Sequence, residues 1–157
     1  MSNAFLEFTT AVGIERQHTV RNRPQQNGVA ERANRTISKA LTAMLAESGL
    51  PASFWGEALA SYVHVSNRLS TSAIPGATTP YELWHGTKPD VSHLQVWGCT
   101  AYVHVQRDKR NSLGPHMQKC TFIGYPTGYK GWKFWDMASK TTIISERADF
   151  DERYFPA

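Results

Sequence analysis

The sequence predicts an α+β chain, a mainly helical N-terminal half followed by a small β-barrel. Two observations carry that expectation. In the first half, apolar residues recur at helical spacing, and after Asp90 the hydrophobic period drops to two. The second half then breaks into short β-prone runs, each bounded by Gly, Pro, Asn or Asp.

Residues 3–12 set Phe5, Phe8 and Val12 on one helical face, and Gly13 is placed to cap that helix. A β-prone piece at 14–20 precedes a loop at 21–28 that is dense in Asn, Gln, Pro and Gly. From Val29 the helical pattern is strong. Val29, Ala33, Ile37, Ala40, Leu41, Met44 and Leu45 share one face, Glu31, Arg35, Ser38 and Thr42 another, and Ser48-Gly49 ends the helix. A second helix is expected from Pro51 to about Leu69, with Ser53 as N-cap and Phe54, Trp55, Ala58, Leu59, Tyr62 and Val63 as its buried stripe. Residues 70–78 read as a linker. Thr79-Pro80-Tyr81-Glu82 is a capping-box pattern with proline at the first helical position, opening a short helix that stops at Gly86. The expected strands are 96–105, 119–125, 130–135, 141–145 and 148–150. Trp55, Trp84 and Trp97 each sit in an apolar stripe and read as packing residues.

Composition excludes more than it selects. With 41% hydrophobic and 11% aromatic residues in 157, the chain is not a disordered tail, and no 18-residue apolar run exists to span a membrane. The net charge of +4 leans mildly toward anionic partners. Its distribution says more: residues 15–39 hold six basic residues against two acids, and 107–140 hold seven against two. Residues 146–153 reverse the sign. Two cysteines, Cys99 and Cys120, are too few and too distant for a disulfide framework or a C-x-x-C knuckle. They are expected as buried thiols of a reduced, intracellular protein. Together with His85 and His93 they form no tight ligand pair for a metal.

The loop–helix junction carries the most chemistry. Glu31 falls in the first turn of a helix just after a polar loop, where a carboxylate can ligate Mg²⁺. The same residue can simply complement the helix dipole, with Arg35 as an i+4 partner, and such first-turn acids are common.

That junction, Pro24-Gln25-Gln26-Asn27-Gly28-Val29-Ala30-Glu31-Arg32 followed by Asn34-Arg35-Thr36, resembles the integrase of copia-type retrotransposons. The likeness continues through Phe54-Trp55-Gly56-Glu57-Ala58, Asn67-Arg68, Thr79-Pro80-Tyr81-Glu82-Leu83-Trp84, His93-Leu94-Gln95-Val96-Trp97-Gly98-Cys99 and Lys119-Cys120-Thr121-Phe122-Ile123-Gly124-Tyr125. It covers nearly the whole chain in the family's order. The resemblance implies the C-terminal part of a ribonuclease-H-like (α/β) core at 1–69, a linker with a short helix at 70–94 and an SH3-like β-barrel at 95–152.

The resemblance also implies Mg²⁺-dependent (or Mn²⁺-dependent) 3′-end processing and strand transfer, with three carboxylates holding two ions about 3.5–4 Å apart. Glu31 matches the third, helix-borne carboxylate. The other two are family aspartates that lie N-terminal to the region present, and the first 89 residues contain no Asp. The chain alone is therefore expected to lack strand transfer and to hold no metal stably. The expected partners are DNA (retroelement ends and target), RNA as a second class, and further copies of the chain. Arg23, Gln25, Gln26 and Asn27 of the loop would lie beside the DNA end. Arg32, Arg35 and Lys39 of the helix would meet phosphates, which position without reading sequence. In the aromatic–basic block 125–135, Lys130 and Lys133 would grip phosphate beside rings that stack bases, although alternating core and surface positions of a barrel give the same pattern. A structural or multimerisation module of a retroelement polyprotein is the alternative. The family implies a nuclear location, and the chain shows no targeting signal of its own.

Overall fold

A computed structural model describes residues 3–15, 27–106 and 114–156. The chain divides into two compact units, Met1–Thr36 and Ile37–Ala157. No helix among the described residues is long and apolar enough to cross a membrane.

The first unit contains α1 (Asn3–Ala11) and the opening of α2 (Gly28–Ser48). The α1 helix forms at the expected place, and Thr9, its one buried residue, bonds back to the Phe5 carbonyl at 3.0 Å. Its apolar face is largely open: Phe8 and Val12 are each 59% exposed. Of the β-prone piece at 14–20 only Ile14 and Glu15 are described, and neither is in a strand. Residues 16–20 and the loop residues 21–26 lie outside the described residues.

The second unit is built on a five-stranded antiparallel sheet. Its strands are β1 (Thr100–His104), β2 (Met117–Gly124), β3 (Trp132–Asp136), β4 (Thr141–Ser145) and β5 (Ala148–Asp151), in the order β4-β3-β2-β1-β5. All five expected strands are present. The first starts at Thr100 rather than Val96, because Gly98 adopts φ +85° and turns the chain before the ladder begins. Alternation along the strands sorts side chains to two faces. Cys99, Ala101, Val103, Cys120, Phe122 and Phe134 form one core, with Tyr125, Trp132, Ile143 and Phe150 packed around it. Ile123, one residue on from Phe122, joins Trp97, Leu50 and Ala58 in a second core. Leu41, Met44 and Leu45 of α2, together with Phe54 and Trp135, pack against this second core.

Helix α3 (Trp55–Ser66) lies on β2. Trp97 Nε1 donates to the Ile123 carbonyl at 3.0 Å, and Ser61 Oγ of α3 donates to the same oxygen at 3.4 Å. Gly124, at φ +135°, lets the helix approach, since a Cβ there would collide with Ser61 Oγ. Beside this contact, on the strand position paired with Gly124, Lys133 Nζ meets Glu57 Oε1 of α3 at 3.4 Å.

Several local expectations are corrected. Ser53 is not an N-cap: a 3₁₀ turn, Ala52–Phe54, closes first, with Phe54 N–H donating to the Pro51 carbonyl at 3.0 Å, and α3 begins beyond it without a side-chain cap. The buried positions of α3 are Ala58 and Ser61, while Trp55 is 59% exposed and Val63 41% exposed. The close approach at Gly124 admits only small residues on the contacting face, so Trp55 and Val63 turn outward while Leu59 and Tyr62 are half-buried. The helix ends at Ser66, short of Leu69. In α2, Val29 is 85% exposed and Ala33 is exposed, so the apolar stripe is covered only from Ile37 onward. Helix α4 (Pro80–His85) starts as the capping box requires, Thr79 Oγ1 accepting from Glu82 N–H at 3.1 Å. Six residues give it no second turn to bury, and Trp84 is 86% exposed rather than packed.

Gly98 makes a sharp prediction. A Cβ there would run into Ser48 Cβ, a buried residue, and the left-handed φ is itself strained for a side chain. Gly98→Ala should lose about 2 kcal/mol or more of stability, read from urea unfolding followed by tryptophan fluorescence. Gly56→Ala, in the open, should lose little and serves as the comparison.

Candidate nucleic-acid interface

Two surfaces hold the residues that the sequence nominates. On α2, Asn27 precedes the helix and Glu31 lies in its first turn, both exposed. Arg32, Arg35 and Lys39 are exposed on the same helix. Glu31 and Arg35 do not form the expected i+4 pair: the ion pairs among the described residues are Lys133–Glu57 and Arg153–Asp151. Arg23, Gln25 and Gln26 lie outside the described residues.

The second surface is a cavity of about 490 Å³ in the sheet unit. Its walls come from the end of α3 (His64), the turn before β1 (Asp90, His93), the β2–β3 connection (Tyr125, Tyr129, Lys130), the start of β3 (Trp132) and the β4–β5 turn (Glu146, Arg147). Trp132 is held edge-on to Phe150, with ring centroids 5.2 Å apart, and its Nε1 donates to the His93 carbonyl at 2.8 Å. Tyr125 accepts at its hydroxyl from Gln95 N–H at 3.1 Å, and burial holds that phenol above its usual pKa. Tyr129 and Lys130 stand exposed at the rim. Lys133, nominated with Lys130, instead points to Glu57 on the helix side and is half-buried.

Acids and cations line this cavity in equal number, Asp90 and Glu146 against Lys130 and Arg147. Bulk attraction for a polyanion is therefore weak there, and the aromatic walls are what a ligand would use. A volume of this size accommodates a nucleobase or a small aromatic group.

One arrangement inside it has no counterpart in any sequence motif. His64 and His93, 29 residues apart, bring their Nε2 atoms to 3.1 Å. The His64 ring stacks on Tyr125, centroids 4.0 Å apart and 14° from parallel. Burial, then Arg68, then His93 lower the His64 pKa from 6.5 to about 4. No spacing rule could have found the pair, because helix and turn meet only through the sheet. The two cysteines are buried as expected. Burial pushes the Cys99 thiol up to about 12 and the Cys120 thiol up to about 11, so both are inert at neutral pH. His85 is exposed on α4, apart from this cavity's lining.

Residues 99–157 match the family described as the retroviral polymerase SH3-like domain. The chain is 39% identical over 151 residues to the retrovirus-related Pol polyprotein from transposon TNT 1-94 of Nicotiana tabacum, which covers 96% of this chain and 11% of that protein. It is 28% identical over 153 residues to the retrovirus-related Pol polyprotein from transposon RE1 of Arabidopsis thaliana, covering 98% of this chain and 10% of the polyprotein. A mitochondrial protein of Arabidopsis thaliana, described as uncharacterized, is 38% identical over 86 residues, 55% of this chain and 68% of its own length. The chain thus spans about a tenth of the two transposon polyproteins.

The depressed His64 pKa sets a pH dependence. Between pH 6.5 and about 4 the unfolded chain binds a proton that the folded chain does not, so stability falls as pH drops through that window. Urea unfolding at pH 7 and pH 5 should show the loss in the natural chain. In His64→Gln, which has nothing to titrate there, the loss between the two pH values should shrink.

Proposed function

We propose a function from one premise: the chain belongs to the Pol polyprotein family of copia-type retrotransposons and carries its SH3-like domain. It is a nucleic-acid-binding segment that serves DNA integration within the larger polyprotein. The observation that carries this reading is the cavity walled by Tyr125, Tyr129 and Trp132 with Lys130 at its rim, a platform on which unpaired bases can stack. The exposed cations Arg32, Arg35 and Lys39 of α2 supply a separate phosphate-binding surface. The partners are retroelement DNA ends and target DNA, with RNA as a second class, and the place of action is the nucleus.

The parent activity in this reading is Mg²⁺-dependent 3′-end processing and strand transfer by a ribonuclease-H-like core, of which residues 1–69 form the C-terminal part. Glu31 is its helix-borne carboxylate. Fit to the metal pair is incomplete in the residues at hand. No group of three or more His, Cys, Asp or Glu converges among the described residues, and one carboxylate cannot hold two Mg²⁺ ions. No catalytic step follows from this chain's residues alone. Its role in the reading is to hold nucleic acid.

A second reading, assembly into a multimer, is favoured by apolar side chains left open in each unit by itself: Phe8 of α1 and the following Val12 in the first, Trp84 of α4 in the second. Light scattering on the purified chain separates the two. A concentration-dependent oligomer that Phe8→Ser or Trp84→Ser disperses, with no nucleic-acid affinity, would select the multimerisation role.

Fluorescence anisotropy with labelled single-stranded and duplex DNA, repeated across salt, tests the binding role. Affinity should fall steeply with salt. Tyr129→Ala should weaken single-strand binding about fivefold or more, corresponding to about 1–3 kcal/mol per stacked base. Lys130→Ala should reduce the slope of log affinity against log salt by about 0.7–0.9. No binding at low salt would remove the proposal.

A further inference from the structure

We infer that His64 and His93 form a two-histidine site for a divalent transition-metal cation of the zinc or copper class. With metal–nitrogen bonds of about 2.0–2.1 Å, the 3.1 Å separation of the two Nε2 atoms corresponds to a ligand–metal–ligand angle of roughly 95–102°. That lies between the square-planar and tetrahedral values, the range that Cu²⁺ and Zn²⁺ sites occupy. The two rings are nearly perpendicular, 86° apart, and each brings its Nε2 atom up to the other's.

Their positions are held by contacts other than their own. Stacking on Tyr125 fixes the His64 ring. His93 sits in a turn tied by Ser92 N–H donating to the Asp90 side-chain Oδ1 at 2.9 Å and Leu94 N–H donating to the Val91 carbonyl at 3.1 Å, and its own carbonyl accepts from Trp132 Nε1. The pair is thus built before a cation arrives, which lowers the ordering cost of binding. Both rings line the cavity of about 490 Å³, which leaves room for water ligands to complete the coordination. Arg68 places a positive charge next to His64, and Asp90 and Glu146 are the carboxylates on the cavity walls. Imidazole pairs suit copper, zinc and nickel, whereas Mg²⁺ takes oxygen ligands, so this site is chemically separate from the Mg²⁺ chemistry of the parent enzyme.

The test is a Zn²⁺ titration of the natural chain followed by NMR of the histidine Hε1 protons, with Mg²⁺ as a control. His64 and His93 should shift together at substoichiometric-to-equal Zn²⁺, ahead of His85 and His104, and Mg²⁺ should move neither. Binding of Cu²⁺, followed by quenching of tryptophan fluorescence, should weaken at least tenfold in His64→Ala and in His93→Ala. His104→Ala should bind as the natural chain does. Because the natural chain supplies the NMR readout, a variant that fails to fold does not decide the matter. If Zn²⁺ moves all histidines alike, or leaves His64 and His93 unmoved, the pair is a hydrogen bond between the two rings and the inference fails. The readout involves no nucleic acid, so it stands or falls apart from the binding role proposed above.

Discussion

From Cys120 to Gly124 strand β2 is buried on both faces, and the rest of the sheet unit is organised around that constraint. Phe122 points into the core between the strands, and Ile123 points into the layer beneath α2 and α3; neither is more than 1% exposed. Each large side chain of this kind contributes about 1.5–3 kcal/mol when fully buried. A strand covered on both sides cannot slip by one residue without exchanging the two sets, so its register is strongly specified. The Ile123 carbonyl, bonded by Trp97 and Ser61, ties the strand to the chain segments on its helix side.

The cavity inherits its rigidity from that strand. Tyr125 follows β2 directly, Trp132 opens β3, and β2 and β3 pair as antiparallel neighbours with an irregularity between Phe122 and Gly124. That irregularity and the positive φ of Gly124 re-aim the chain, so Tyr125 can stack on His64 of the helix lying against the strand. Lys133 strengthens the same junction through Glu57 instead of facing a ligand. The pair is part-exposed, so its worth is modest, and it serves mainly to orient helix and strand.

Local signals in the sequence read well where local physics decides. The Thr79-to-Glu82 cap, the proline at the start of α4, and the turn residues that separate the strands each act within a few residues, and α4 and the five strands form within four residues of where those signals put them. Signals that depend on what lies opposite read badly. Trp55 and Trp84 have apolar neighbours in sequence yet face outward, because the tight helix–sheet contact takes Ala58 and Ser61 and a six-residue helix has little to bury against. Lys130 and Lys133 look equivalent three residues apart, but one stands exposed in the β2–β3 connection and the other reaches a helix carboxylate.

The sequence by itself determined the element types, the change from helical to strand period near Asp90, the buried thiols and the family, since periodicity, turn chemistry and motif order are all local or cumulative along the chain. Only the tertiary structure decided which aromatic side chains are walls and which are surface. It alone brought His64 to His93 and gave Lys133 to Glu57. The physical reason is common to all three. Each depends on a distance between residues far apart in sequence, set by how closely α3 can approach β2, and no period or spacing along the chain records that distance.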